Sequence, residues 1–224
     1  MNRAGWLCCA ADLHGLLPQF GQRVDAILLA GDLCPDAHQI GPHCRVMDPC
    51  HLEGQRRFMQ AKVSSLATAY DVPVFAVPGN HDFGLVGWSQ PVPGVTLLVD
   101  SLATLPCGAT VWGSPWTSSG MAFNSDDDSL AGVWDQCPAG VDVMLTHVPP
   151  YGIGDDADRV HIGSRSLLAA VQRIKPRLHL FGHAHERRGC WQVGSTLHVN
   201  CTLGSHNGRQ SQHGPWLLCD SSWR

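Results

Sequence analysis

The sequence predicts an α/β fold on the strength of three observations. Five short apolar runs recur along the chain, and helical stretches lie between some of them. Continuous apolar runs of this length are typical of strands buried on both faces of a sheet. Each run ends abruptly in a polar cluster rich in Asp, His or Asn. We therefore expect a buried sheet whose strand ends carry the functional side chains.

The predicted strands occupy the five apolar runs in chain order. They cover residues 6–11, 25–30, 73–77, 141–145 and 177–181. In open α/β sheets, ligands bind outside the carboxyl ends of the strands. If the five strand ends lie side by side, their polar clusters surround one crevice.

Two longer helices are predicted between the strands, over residues 51–70 and 164–174. The second begins at Ser164, a good N-cap residue, and stops before Pro176. Residues 95–114 are predicted to form two or three strands, and residues 190–201 a hairpin that turns at Gly194. Residues 33–49 and 114–128 are expected to be long loops, which often serve as binding segments.

Composition excludes several classes of protein. A chain of 224 residues with 44% hydrophobic residues fits one domain, predicted here as residues 1–224. The net charge is -4 and no basic stripe is present, so a nucleic-acid partner is not expected. No apolar run is long enough to span a bilayer, and the segment before the first strand is too short for a secretion signal. We therefore expect no membrane partner, a cytoplasmic location, and free thiols at the 10 scattered cysteines.

The polar clusters contain the donor types that a pair of divalent cations requires. Cations held roughly 3.5–4 Å apart need a bridging carboxylate, together with neutral ligands that do not cancel the charge attracting a phosphate. The sequence supplies carboxylates, imidazoles and an amide oxygen at the strand ends: Asp12, Asp32, His14, His147, His183, His185 and Asn80.

Each cluster on its own also has a structural interpretation. Gly31-Asp32 is a common turn, and Gly79-Asn80 could be a tight turn because both residues tolerate positive φ. His147 could be a hydrogen-bonded histidine at a strand end. The combination of all five clusters, each at the end of a predicted strand, is far more specific and indicates a metal-dependent hydrolase.

With these motifs assembled, the chain resembles the calcineurin-like metallophosphoesterase superfamily. The five sequence blocks of that family read D-x-H, G-D, G-N-H-[DE], H and G-H-x-H, and all five stand here in order between Asp12 and His185. Gly113-Ser114-Pro115-Trp116, residues 145–152 and residues 175–186 are similar to the small metallophosphoesterase-domain branch, which includes vertebrate brain forms and bacterial and phage homologues.

The resemblance implies a four-layer sandwich of two facing mixed β-sheets flanked by helices. It also implies two divalent metal ions per chain, with Mn favoured and Fe, Zn, Ni or Co as alternatives. Asp32 would bridge them, one ion being held by Asp12, His14, Asp32 and His185 and the other by Asp32, Asn80, His147 and His183. His81 would be the catalytic histidine that binds no metal, placed to bind a phosphate oxygen or to protonate the leaving group.

The second block departs from the pattern of the protein phosphatases in this superfamily, G-D-x-x-D-R-G. Here it reads Gly31-Asp32-Leu33-Cys34-Pro35-Asp36-Ala37, without the Arg and with the second Asp one place late. Whether Asp36 orients His81 is therefore open.

These features favour a phosphodiesterase acting on a small nucleotide-type diester, with a metal-bridging hydroxide as nucleophile. The alternatives are a phosphomonoesterase and a non-catalytic metal-binding scaffold on the same fold. The intact ligand set and His81 disfavour the scaffold.

Overall fold

The computed structural model describes residues 5–118, 120–157, 159–203 and 214–219. Thirteen strands lie within these ranges. They are β1 (Trp6–Ala10), β2 (Ala26–Ala30), β3 (Val74–Val77), β4 (Val95–Leu97), β5 (Ser101–Thr104), β6 (Thr110–Ser114), β7 (Val143–Thr146), β8 (Asp156–Ala157), β9 (Val160–His161), β10 (Leu178–Phe181), β11 (Gly189–Val193), β12 (Thr196–Asn200) and β13 (Trp216–Cys219). The five strands predicted from apolar runs are β1, β2, β3, β7 and β10. Residues 95–114 form three strands, β4, β5 and β6, and the hairpin predicted over residues 190–201 is confirmed as β11 and β12.

The helices are α1 (Ala37–Ile40), α2 (Pro49–Phe58), α3 (Ser64–Tyr70), α4 (Asp127–Trp134) and α5 (Arg165–Ile174). A π-helical segment, Met59–Val63, joins α2 to α3, so the helix predicted over residues 51–70 is one continuous helical stretch. Short 3₁₀ turns follow two of the motifs, at Phe83–Leu85 and His185–Arg187. The helix α1 lies within the loop predicted over residues 33–49, and α4 begins at the end of the loop predicted over residues 114–128.

The predicted boundaries of α5 are correct because both of its ends are capped. The Ser164 side chain accepts a hydrogen bond of 2.9 Å from the backbone amide of Leu167. Lys175 closes the helix with a left-handed φ of 54°, and Pro176 follows it. Leu167, Ala170, Val171 and Ile174 are buried on one face, at the spacing that an amphipathic helix requires.

Two mixed sheets form the centre of the molecule. The first has the order β13-β1-β2-β3-β4, with β13 antiparallel and the remaining strands parallel. The second has the order β11-β12-β10-β7-β6-β5, with the four inner strands parallel and the two outer ones antiparallel. The sequence predicted five strand ends side by side, whereas three of them belong to the first sheet and two to the second.

Alternation of side chains along the strands produces the layers. Leu7, Leu28, Val143 and Leu178 belong to one buried cluster, which lies between the two sheets. The opposite face of the first sheet packs against α2, the π segment and α3. The opposite face of the second sheet packs against α4 and α5. The fold is therefore the four-layer sandwich that the family resemblance implies.

The prediction of ten free thiols is wrong at two positions. Cys44 and Cys50 are joined by a disulfide, because α1 and the turn after it bring their Cα atoms within 6.1 Å at the start of α2. The other eight cysteines are free, five of them buried. Across the described parts of the chain, no helix has the length and apolar character to cross a membrane. The compartment stays a prediction.

Candidate metal centre

The motif loops converge where β1, β2 and β3 of the first sheet and β7 and β10 of the second reach their carboxyl ends. Backbone hydrogen bonds tie the first two loops together: the Asp12 amide donates to Gly31 and the His14 amide to Asp32, both at 2.9 Å. The amide of Gly182 donates to the His147 carbonyl, which joins the loops of the second sheet. The sequence motifs thus lie in one place although they come from two sheets.

The first ligand group consists of Asp12, His14, Asp32 and His185. Each of these residues offers a ligand atom, and all four atoms lie within 4.8 Å of one another. His185 Nε2 lies 3.2 Å from Asp12 Oδ1, and His14 Nε2 lies 3.8 Å from Asp32 Oδ2. Two buried carboxylates and two imidazoles form a donor set that suits Mn, Fe or Zn.

The second ligand group consists of Asp32, Asn80, His147 and His183. His147 Nε2 lies 2.8 Å from Asn80 Oδ1 and 3.5 Å from Asp32 Oδ1. The rings of His147 and His183 meet edge to face, with their centroids 5.0 Å apart. The structure therefore brings together all seven side chains that the sequence proposed as metal ligands.

Asp32 belongs to both groups through different oxygen atoms. Oδ2 faces His14 at 3.8 Å, and Oδ1 faces His147 at 3.5 Å. Oδ1 also accepts a hydrogen bond of 2.8 Å from the backbone amide of His81, which fixes the rotation of the carboxylate. This orientation allows one carboxylate to serve two cations.

The tautomer of His147 points a lone pair into the centre. Its Nδ1 lies 2.9 Å from the carbonyl oxygen of Ala30. A carbonyl can only accept, so a proton sits on Nδ1, and when the ring is neutral its lone pair is at Nε2. That lone pair faces the Asn80 and Asp32 oxygens, which are also electron-pair donors. Such a set of converging donors fits a cation.

The electrostatics of the centre also favour the binding of positive charge. Burial raises the pKa of Asp12 and Asp32, but the imidazoles around them more than reverse this and hold both pKa values below their usual range. Burial lowers the pKa of His147, yet the Asp32 carboxylate raises it to about 9. The buried carboxylates thus draw positive charge towards themselves, which protons or cations can supply.

His183 differs from its neighbours. Burial and the proximity of His147 lower the pKa of His183 to about 4. Its imidazole is therefore neutral near pH 7, which is the form that binds a metal ion.

A hydrogen-bond network next to the centre answers the open question about Asp36. His81 Nδ1 lies 2.9 Å from Asp36 Oδ1, and His14 Nδ1 lies 3.4 Å from Asp36 Oδ2. Asp36 therefore orients His81 despite standing one place late in the motif, and the same carboxylate lies close to His14. Burial lowers the pKa of His81, but the hydrogen bond to Asp36 and the charge of Asp32 raise it overall.

The backbone at the centre is held in an unusual conformation. Asp12, His14, Asp32 and His183 have φ values of 54°, 41°, 50° and 68°. Positive φ is uncommon for residues with a side chain, and such conformations cluster at functional sites. Each of these residues lies two to four positions after the end of a strand, where the chain has to leave the sheet.

Two supporting residues were not identified from the sequence. Asp82 is fully buried and accepts hydrogen bonds from the backbone amides of Leu33, Cys34 and Gly79, which lock the second and third motif loops together. Its place in the G-N-H-D block is a signal that could have found it. Thr202 donates a hydrogen bond of 2.6 Å to Asp12 Oδ2. No motif marks Thr202, because its position depends on the second sheet.

Comparisons with known proteins agree with this geometry. Residues 7–187 match the family model described as calcineurin-like phosphoesterase. UPF0046 protein T07D4.2 of Caenorhabditis elegans is 42% identical over 105 residues, which are 45% of this chain and 26% of that protein. Metallophosphoesterase domain-containing protein 1 of Homo sapiens is 39% identical over 116 residues, which are 49% of this chain and 35% of that protein. The matched stretches thus span about a quarter to a third of these two curated relatives.

Solved structures support the fold. One crystal structure, 16% identical in sequence, superposes with a TM-score of 0.61 and covers 96% of this chain and 99% of its own. GAP50, described as the anchor in the inner membrane complex of Plasmodium, gives a TM-score of 0.50 at 15% identity and covers 94% of this chain and 75% of its own. At these identities the likeness concerns the arrangement of sheets and helices alone.

Proposed function

Because the chain belongs to the calcineurin-like phosphoesterase family, we propose that it hydrolyses phosphate esters with two divalent cations held by the first and second ligand groups. The observation that carries this proposal is the position of Asp32, whose two oxygens face His14 in one group and His147 in the other. The other ligands would be Asp12 and His185 for one cation, and Asn80 and His183 for the second. The mixed nitrogen and oxygen donors favour Mn, with Fe, Zn, Ni or Co as alternatives.

The charge of the ligand groups suits a phosphate substrate. When bound, a pair of divalent cations supplies net positive charge and lowers the pKa of water to about 7, so that a nucleophile forms near neutral pH. The protein contributes only two carboxylates among the seven ligands, Asp12 and Asp32, so the charge of the cations is not cancelled. Their burial excludes bulk water, which strengthens the attraction to an anionic substrate.

His81 is placed to act on the substrate. It follows the proposed ligand Asn80, and its side chain is 18% exposed, so it borders both the centre and the solvent. Asp36 accepts from Nδ1 at 2.9 Å, which holds the ring, so Nε2 is the nitrogen that would act on the substrate. His81 would donate a proton to the departing oxygen or a hydrogen bond to the phosphate.

A diester is the favoured substrate class, and a small nucleotide-type diester is the favoured example. A monoester carries nearly two negative charges near neutral pH, and sites for monoesters usually add an Arg fork to hold the second one. The position where the protein phosphatases keep such an Arg is Asp36 here, or Ala37 if Asp36 is matched to the motif aspartate, and neither residue is basic. A monoesterase is the alternative, since the ligand groups would bind either phosphate.

The experiment compares kcat/KM for bis-nitrophenyl phosphate and for nitrophenyl phosphate, with one metal and at one pH. Both substrates release the same leaving group, so the comparison isolates the charge of the phosphate. We expect the diester to be the better substrate. A clear preference for the monoester would replace the diesterase proposal with the monoesterase, and absence of turnover with every metal would contradict the enzymatic proposal itself.

A further inference from the structure

A groove of about 640 Å³ lies next to the candidate metal centre. Its lining is mostly apolar and aromatic, and we call it the aromatic groove. The residues that define it are Met47, Phe83, Val86, Trp116, Met121 and Phe123. They come from the turn before α2, the segment after the third motif and the loop after β6, so three separate parts of the chain build one surface.

The aromatic groove and the metal centre share a wall. The amide of Ala122 donates to the carbonyl of Asn80 at 3.0 Å, and Met121 Sδ lies 3.4 Å from Asn80 Nδ2. On the other side, Gln55 donates to the His81 carbonyl at 2.8 Å and accepts from the Gly84 amide at 2.7 Å. A group attached to a phosphate at the metal centre is therefore within reach of the groove.

The aromatic walls are held in place before any ligand arrives. Trp116 Nε1 donates to Asp100 Oδ2 at 2.9 Å, which fixes the indole. The rings of Trp116 and Phe123 meet edge to face, with their centroids 6.1 Å apart. Met121 and Phe123 have φ values of 74° and 48°, and Thr117 donates to the Phe123 carbonyl at 2.8 Å. Left-handed residues with side chains require support from their surroundings, and they are found preferentially at binding sites.

The rim of the groove exposes apolar side chains to solvent. Met47, Val86, Val99 and Met121 are 59%, 52%, 46% and 49% exposed. Exposed large apolar residues that cluster in this way mark binding surfaces. Of the described residues lining the groove, Arg56 alone is charged, and its Nε donates to the carbonyl of Gly84 at 2.8 Å. With its mostly apolar lining, the groove is better suited to a neutral apolar group than to a second anion.

We propose that the aromatic groove binds a planar aromatic group that forms part of the phosphate ester substrate. The inference rests on the proposed function and names the ester group that this site prefers. An aromatic group fits better than an aliphatic chain because rings pack favourably against the faces and edges of Trp116 and Phe123. Thioethers such as those of Met47 and Met121 also make favourable contacts with rings.

The test measures binding rather than turnover. Metal-loaded protein is titrated calorimetrically with methylphosphonate, naphthylmethylphosphonate and octylphosphonate, which present the same anionic head to the cations. We expect the naphthyl compound to bind about tenfold more tightly than the methyl compound, from ring stacking and apolar burial. The affinity of octylphosphonate is expected to exceed that of methylphosphonate by a smaller factor.

Two matched variants test whether the additional affinity for the naphthyl compound comes from the aromatic groove. Val86→Glu places a charge on the rim of the groove, and Leu102→Glu places the same charge on β5, where Leu102 is 50% exposed and lines no part of the groove. In Val86→Glu, naphthylmethylphosphonate is expected to bind no more tightly than methylphosphonate. In Leu102→Glu, its higher affinity should persist. Methylphosphonate should bind equally to both variants.

Equal affinity for the three phosphonates, or an equal effect of the two variants, would overturn the groove assignment and leave the metal centre intact. A preference for the octyl compound would show that the groove holds a chain instead of a ring. Failure of all three to bind would contradict the proposed function, and the inference would fall with it.

Discussion

At the residue scale, Asp32 holds the candidate centre together. Its carboxylate faces His14 through one oxygen and His147 through the other, and the backbone amide of His81 fixes its rotation. Burying such a carboxylate costs free energy unless positive charge or hydrogen bonds compensate it. The buried charge of Asp32 therefore accounts both for the proximity of two imidazoles and for the attraction of the site for positive charge.

His81→Ala is predicted to slow turnover about 10²–10⁴-fold, the range expected when a general acid is lost. The loss should be larger for a diester with an alkoxide leaving group than for one that releases nitrophenolate, because nitrophenolate departs without a proton. Steady-state kinetics on the two diesters would measure the difference.

Metal content is the control for this variant. His81 is proposed to bind no metal, so elemental analysis of His81→Ala should match the wild type. If turnover falls equally for the two diesters, His81 is not a general acid, and binding of the phosphate is its only remaining role. A drop in metal content would mean that His81 is a ligand.

The sequence was most informative about individual candidate ligands. Asp12, His14, Asp32, Asn80, His147, His183 and His185 could all be proposed because each stands next to a recognisable strand end. Thr202 could not, since it meets Asp12 across 190 residues of chain through a contact that exists only after folding. The role of Asp36 also needed the structure, because the position of a carboxylate in a loop is not set by its spacing in the sequence.

At the element scale, the turns after the strands depend on glycines that let the backbone approach a ligand side chain. Gly79 lies directly against Asp32, and a Cβ at this position would overlap both the Asp32 carboxylate and its backbone amide. Gly182 stands in the same relation to the carboxylate of Asp12. The motif glycines are thus part of the ligand geometry.

Gly79→Ala is predicted to displace Asp32, to reduce the metal content and to lower the free energy of unfolding by about 1–3 kcal/mol, the usual cost of overpacking. Urea denaturation and elemental analysis would measure the two effects.

Gly132→Ala in α4 is the matched control, because nothing lies within 4 Å of an added Cβ there. In a helix this change should stabilise by about 0.5–1 kcal/mol and leave the metal content unchanged. A Gly79→Ala protein with wild-type metal content and stability would contradict the role given to the turn.

The strands and helices differ in how far the sequence specifies them. Fully buried strands such as β2 and β7 are unbroken apolar runs and were predicted within two residues of their observed ends. The helix α4 was not predicted, and only its first two residues, Asp127 and Asp128, fall in the segment that was expected to be a loop. Tertiary contacts stabilise α4. Leu130 and Trp134 are buried against α5, and Asp127 accepts hydrogen bonds from Ser164 and Ser166.

At the scale of the whole molecule, the two facing sheets decide where the chemistry takes place. The first sheet supplies Asp12, Asp32 and Asn80, and the second supplies His147 and His183. Apolar alternation predicts which strands are buried but not how they divide into sheets, since every buried strand has the same pattern. The family resemblance, rather than the periodicity, implied the two-sheet arrangement.

The cysteines provide a test of the chain as a whole. Alkylation of the denatured, unreduced protein is predicted to find eight thiols, because Cys44 and Cys50 are paired and the other eight are free. After reduction the number should rise to all 10 cysteines. Ten thiols before reduction would contradict the pairing of Cys44 with Cys50.

Asp32 is proposed to join two cation sites, and the number of metal ions bound per chain tests this most directly. Elemental analysis of the Mn-loaded protein should approach two ions per chain. Asn80→Ala removes a ligand from the second group alone and should bring the content close to one, whereas Asn124→Ala, at a position outside both groups, should keep two. Saturation of the wild type at one ion, with no change in Asn80→Ala, would contradict the two-cation centre.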